Sequence, residues 1–176
     1  MAKLLDLAFG DLNSAICKKY ALDMIDHSDE QFMVQALTEA QKAAQIGEIP
    51  VGCVIVKDGE IIGRGHNLRE STNDPTAHAE IVAMREASKK ISNWRLEGCE
   101  VYITLEPCPM CAAALIMAGV RRIVFGAPNR ELGACGTVWD FPNDPGFDNH
   151  PLVKSGVLRE RCEKILVDFM KSLRQQ

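Results

Sequence analysis

The chain has 176 residues, 47% of them hydrophobic, with 20 basic against 24 acidic side chains, a net charge of −4 and a pI near 5.6. That size suits one well-buried domain rather than two, and the acidic balance excludes a surface built globally for nucleic acid, so any phosphate contact must be a local basic patch. No apolar run approaches the roughly 18 residues of a membrane span, and seven scattered cysteines, an odd number, fit a reducing, cytoplasmic compartment better than a disulfide framework.

In chain order, residues 1–27 carry three lysines against four aspartates, unlike a transit or secretory peptide. Leu4, Leu5, Ala8, Leu12, Ala15, Ile16, Tyr20 and Met24 recur at helical spacing, which predicts one or two short helices in an N-terminal extension. Ser28 and Gln31 form a capping-box pattern, and Phe32, Ala36, Leu37, Ala40, Ala43 and Ala44 make the stripe of a helix that Gly47 ends. A domain is thus expected over 28–176. Val51 to Lys57 and Glu60 to Gly65 read as a hairpin about the Asp58-Gly59 turn. A polar loop from Asn67 to Pro75 leads to a helix from about Ala77 to Lys90. Val101 to Leu105 is a strand, Cys108 to about Ala118 a helix, and Arg121 to Phe125 a second strand. This βαβ unit makes the two strands parallel, with a right-handed crossover. Arg130 to His150 is mostly loop, and Val157 to Leu173 is an amphipathic helix. The elements predict an α/β fold: a small mixed sheet, about five strands, with helices on both faces.

Two stretches carry chemistry. In Pro107, Cys108, Pro109, Met110, Cys111, two cysteines are spaced to hold one metal, and a helix beginning at Cys108 with Pro109 in its first position puts both sulfurs on one face. The positive end of that helix favours thiolates. A CxxC alone also serves redox pairs and structural zinc sites, but a redox pair does not call for a distant His-Ala-Glu at 78–80, and a structural zinc would want a fourth strong protein ligand. His78 is the one obvious third ligand, which leaves a fourth position for water and Glu80 free to move protons. Cys53, Cys99, Cys135 and Cys162, with His27, His66 and His150, have no such neighbours and read as ordinary structural residues.

The H-x-E…P-C-x-x-C pattern is the signature of zinc nucleobase deaminases. With NDPTAHAEI (73–81), VYITLEPCPMC (101–111), RRIVFGA (121–127) and GACG (133–136), the chain resembles the bacterial tRNA-specific adenosine deaminases, the TadA type, from about Asp29 onward. The resemblance implies a three-layer α/β/α cytidine-deaminase-like fold and one Zn²⁺ per chain on His78, Cys108 and Cys111, with Glu80 as catalytic proton shuttle. It also implies a homodimer that makes inosine at the wobble position of a tRNA anticodon stem-loop. Asn67 matches an Asn that hydrogen-bonds the purine. Phe169 and Arg174, at the end of a last helix with a basic surplus, match residues that hold flanking nucleotides. Asn129 stands where the family usually has an Asp near the target sugar, a departure that weakens discrimination by the ribose 2′-hydroxyl. A deaminase of free bases or nucleosides shares the same core motif, and a noncatalytic zinc subunit would be expected to lack Glu80.

Overall fold

A computed structural model describes residues 15–174, with side chains from residue 28 onward. Helix α1 (Ala15–Gln45) precedes the hairpin β1 (Gly52–Lys57) and β2 (Glu60–His66), the single turn α2 (Arg69–Thr72) and α3 (Ala79–Ile91). Then come β3 (Glu100–Leu105), α4 (Pro109–Met117), β4 (Arg122–Ala127), a 3₁₀ turn at Phe141–Asn143, β5 (Leu152–Ser155) and α5 (Arg159–Leu173). The sheet order is β2-β1-β3-β4-β5. Strands β1, β2 and β3 pair antiparallel, while β3, β4 and β5 are parallel. The expected five-strand mixed sheet and the β3-α4-β4 crossover are both present. None of the described helices is long and apolar enough to cross a membrane.

Side-chain alternation along the strands builds one core on each face of the sheet. Cys53, Ile55, Val101, Ile103, Ile123 and Phe125 point to the face covered by α3 and α4. Val54, Val56, Tyr102 and Val124 point the other way, to α1 and α5. This two-residue period places every second side chain of β1, β3 and β4 under a helix. Helix α3 lies directly on β2 because Gly63 and Gly65 have no Cβ; a methyl at either would drive into the α3 backbone at Ala79 and Ala83. The Asp58-Gly59 turn takes positive φ at both residues, as a tight hairpin requires.

Two expectations change. Helix α1 does not begin at Ser28: it runs unbroken through that residue from Ala15. A capping box works only where the chain has left helical geometry upstream, and no Gly or Pro lies between residues 11 and 46 to make it do so. The part of the predicted N-terminal helices that falls on residues 1–14 lies outside the described residues. Strand β5 completes the sheet at 152–155, just past the loop expected over 130–150, and a 3₁₀ turn falls inside that loop.

Helix α1 is pinned to the far end of the sheet by a buried charge cluster. Asp29 accepts from Arg122 through both oxygens at 2.7 Å, from Lys154 at 2.9 Å and from the Tyr102 hydroxyl at 2.9 Å. Glu100 adds Tyr102, Arg121 and Arg122. Burial pushes the Asp29 carboxyl up, but these donors outweigh it and hold it below its ordinary value.

Candidate active site

His78 is the N-cap of α3 and Cys108 the N-cap of α4, with Pro109 following in the first helical turn. Two helix N-termini therefore meet at one point, each adding partial positive charge. His78 Nδ1 lies 3.7 Å from Cys108 Sγ and 3.6 Å from Cys111 Sγ, and the three donor atoms all fall within 4.8 Å of one another. Tetrahedral zinc with bonds of about 2.3 Å to sulfur and 2.0–2.1 Å to nitrogen would set those N···S separations at roughly 3.5 Å. One imidazole and two sulfurs thus fit a zinc ion with little adjustment, and as three ligands they leave a coordination position open to the pocket.

The protons in this cluster are strongly redistributed. Hydrogen bonds from Cys111 and His78 bring the Cys108 thiol down to about 4, against the opposing effect of burial. Cys111 moves upward because it serves as donor to Cys108 and is buried. His78 is raised by its hydrogen bond to Cys108. Glu80, in the first turn of α3, is 4% exposed. Burial raises its carboxyl to about 7, helped by the charge on Cys108 and opposed by a bond from its own backbone N–H. Its carboxylate is not one of the three convergent donors, so Glu80 stands beside the cation site as an acid or base near neutrality.

A cavity of about 140 Å³, or 570 Å³ with its open mouth, lies over this cluster. Ile49, Val51, Leu105 and Leu132 form apolar walls, and Asn67, Arg69, His78, Glu80, Glu106, Cys108 and Asn129 bring polar groups. The expected Asn67 is thus on the pocket wall, 7% exposed, with Nδ2 donating to Glu48 Oε2 at 2.9 Å. Asn129 is also at the pocket. Its Oδ1 accepts from the N–H groups of Glu131 and Leu132, an Asx turn that leaves only Nδ2 to act as a donor elsewhere.

Phe169 and Arg174 are not brought to this pocket: Phe169 is 9% exposed on α5 and Arg174 is an exposed C-cap. The basic surplus of the last helix is also partly tied up, by Arg159 to Glu163 and Lys164 to Asp168, while Lys154 lies on β5 and pairs with Asp29. Cys53, Cys99, Cys135 and Cys162 are buried in the two cores, while His66 faces Glu39 and His150 Nδ1 meets the Pro142 carbonyl.

Sequence reasoning missed two carboxylates. Glu106, 1% exposed, accepts from the N–H groups of Asn129, Cys135 and Thr137 at 3.0–3.1 Å and so folds the 129–137 loop over the pocket. Gly133 lies against it so closely that any Cβ would strike the carboxylate. Glu48 does the same for the Asn67–Ser71 segment. The available signal was an acid in a buried context, in TLEPC and in GEIPVG, where a carboxylate must find donors.

Fold and site together define a zinc-binding deaminase, and residues 26–127 match the family described as the cytidine and deoxycytidylate deaminase zinc-binding region. The chain is 45% identical over 148 residues to a tRNA-specific adenosine deaminase of Bacillus subtilis, covering 84% of this chain and 92% of that protein. It is 46% identical over 149 residues to one of Haemophilus influenzae, covering 84% and 86%. A solved structure from studies of A-to-I editing by tRNA:A34 deaminases at the wobble position superposes with a TM-score of 0.75 at 41% identity, over 77% of this chain and 99% of that one. The chain belongs to the family of tRNA-specific adenosine deaminases.

Proposed function

We propose that this protein hydrolyses the 6-amino group of adenosine at the wobble position of a tRNA anticodon loop, giving inosine and ammonia, with one zinc ion per chain on His78, Cys108 and Cys111. The observation that carries this is the convergence of those three donors beside a buried Glu80 at the floor of a pocket lined by Asn67. When bound, zinc supplies Lewis acidity at an open coordination position. Glu80 takes a proton from the attacking water and delivers it to N1 as oxygen adds to C6. The regenerated carboxylate then takes the second proton from the added C6 hydroxyl and gives it to the amine as the C6–N bond breaks and C6=O forms, so one group serves as base and as acid, a task suited to a pKa near 7. Asn67 supplies hydrogen bonds to the base, and Arg69 brings a cation to the pocket mouth, where substrate phosphates would lie.

An anticodon loop is a sensible target because its bases are unpaired and enter a pocket at low cost. The assembly is a homodimer in the cytoplasm. Self-association is supported by an apolar groove between α3 and α4, where Ile81, Met84 and Ala114 lie beside Trp94 and Met117, which are 64% and 70% exposed. Residues 28–176 form the deaminase domain and 1–27 an extension to it. The test is deamination of an anticodon stem-loop against free adenosine, with A-to-G reads locating the product. A kcat/KM on the stem-loop exceeding that on adenosine by about a hundredfold or more is expected, since remote phosphate contacts help position the base. Equal values would favour a small-molecule deaminase.

A further inference from the structure

The Asn67 amide has a defined direction. Glu48, 1% exposed, accepts from Asn67 Nδ2 through Oε2, and through Oε1 from the Ser71 N–H at 2.6 Å and the Ser71 hydroxyl at 2.8 Å. A carboxylate accepts and does not donate, so Asn67 must turn its nitrogen toward Glu48 and its carbonyl oxygen away. Among the described residues no buried side-chain nitrogen or oxygen lacks a partner, and Asn67's one described side-chain bond is the one to Glu48. Asn67 also lines the pocket, and with the nitrogen turned to Glu48, Oδ1 is the atom left to meet a substrate there.

We propose that Glu48 is a positioning residue that sets the donor–acceptor polarity of the substrate pocket, compelling Asn67 to present an acceptor to a hydrogen-bond donor on the bound nucleoside. The donor is an N–H of the base or an O–H of its ribose. This inference rests on the pocket being the nucleoside site described above. A nucleoside that turned a lone pair toward Asn67 would meet another lone pair, so the pocket discriminates by the sense of one hydrogen bond.

Glu48→Gln tests it. The new amide oxygen serves Ser71, but its NH₂ faces the Asn67 NH₂, and Asn67 must flip to offer a donor to the pocket. We expect kcat/KM on the anticodon stem-loop to fall about ten- to hundredfold, mostly through KM. Asn67→Asp, which sets two carboxylates face to face, should also lose activity. The double variant Glu48→Gln/Asn67→Asp restores the original sense, because the introduced amide donates to the introduced carboxylate and leaves an oxygen facing the pocket. It should recover to within about tenfold of wild type, a rescue that simple packing or charge loss would not produce. Repeating the series with deoxyadenosine at the target distinguishes the donors: the Glu48→Gln penalty persists for a base N–H and vanishes for a ribose O–H. An unchanged KM in Glu48→Gln, or a double variant no better than the worse single one at equal zinc content, would overturn the proposal. Proton exchange of the Asn67 side-chain amide, slow in wild type and fast in Glu48→Gln, reads the orientation without substrate. Slow exchange in a wild type that does not deaminate the stem-loop would count against the functional reading alone, while fast exchange in wild type would overturn this one.

Discussion

Replacing Glu106 should separate the folding of the pocket loop from the chemistry beneath it. Its carboxylate accepts three backbone N–H groups, from Cys135 at 3.0 Å, Thr137 at 3.1 Å and Asn129 at 3.0 Å. In Glu106→Ala the buried Cys135 N–H loses its partner at a cost of about 1–3 kcal/mol, and the two partly buried ones, which water can reach, cost about 0.5–1.5 kcal/mol each. The total is about 2–6 kcal/mol. Glu106→Gln is the sharper probe: one oxygen can still serve Cys135 and Thr137, while its NH₂ confronts the Asn129 N–H. Its expected cost is about 1–3 kcal/mol, and at about 2–4 °C per kcal/mol for a chain of this size the thermal midpoint should drop by about 2–12 °C. Because Asn129 and Leu132 line the pocket, KM for the stem-loop should rise while zinc content stays at one per chain. Gly133→Ala attacks the same contact from the other side, since its Cβ would strike the Glu106 carboxylate. Thermal unfolding, metal analysis and steady-state kinetics on the same preparations decide the matter. A Glu106→Gln protein with wild-type midpoint and KM would refute the reasoning, and loss of zinc would show that the damage lies in the metal site.

Glu80→Ala should keep zinc and lose deamination by several orders of magnitude, because the carboxylate moves protons without being one of the convergent donors; zinc loss in this variant, read by metal analysis, would reassign Glu80 as a ligand. Asn129→Asp should preserve the Asx turn to Glu131 and Leu132 but exchange the donor Nδ2 for a second carboxylate oxygen. The RNA-to-DNA activity ratio should then widen about tenfold to a hundredfold in single-turnover reactions on matched hairpins, as the deoxyribose leaves that oxygen unsatisfied; an unchanged ratio would show that residue 129 does not read the sugar. Asp29 has its folded pKa depressed, so its stabilisation is fully present above the unfolded carboxylate value near 4 and is lost as pH falls through the lower folded value. Asp29→Asn should therefore be destabilised at pH 7, with a gap to wild type that narrows below about pH 4 in urea titrations. A gap independent of pH would mean that the Arg122 and Lys154 contacts do not set the linkage.

Whatever depends on local spacing was legible in the chain itself. Short apolar, β-branched runs marked the strands, the Asp58-Gly59 turn marked the hairpin, and Pro109 after Cys108 marked a helix start that brings two sulfurs to one face. The helix expected from about Ala77 begins at Ala79, and that two-residue shift is what makes His78 its cap and leaves Glu80 in its first turn. Tertiary structure decided which groups converge across the chain. The apolar context of Glu106 and Glu48 signals that each carboxylate must find donors, but not that each gathers three from segments up to 31 residues away, because a buried acid finds its partners only after the sheet and helices have set the distances. The same holds for Asp29, whose place after Ser28 read as the first turn of a helix, whereas it lies inside α1 and reaches Arg122 and Lys154 across the sheet. Phe169 and Arg174 illustrate the converse: resemblance named them as contacts to flanking nucleotides, and the structure places them on α5 and at its C-cap, outside the lining of the pocket itself. Periodicity assigns a residue to a face of its own element, and only the packing of elements decides what that face meets.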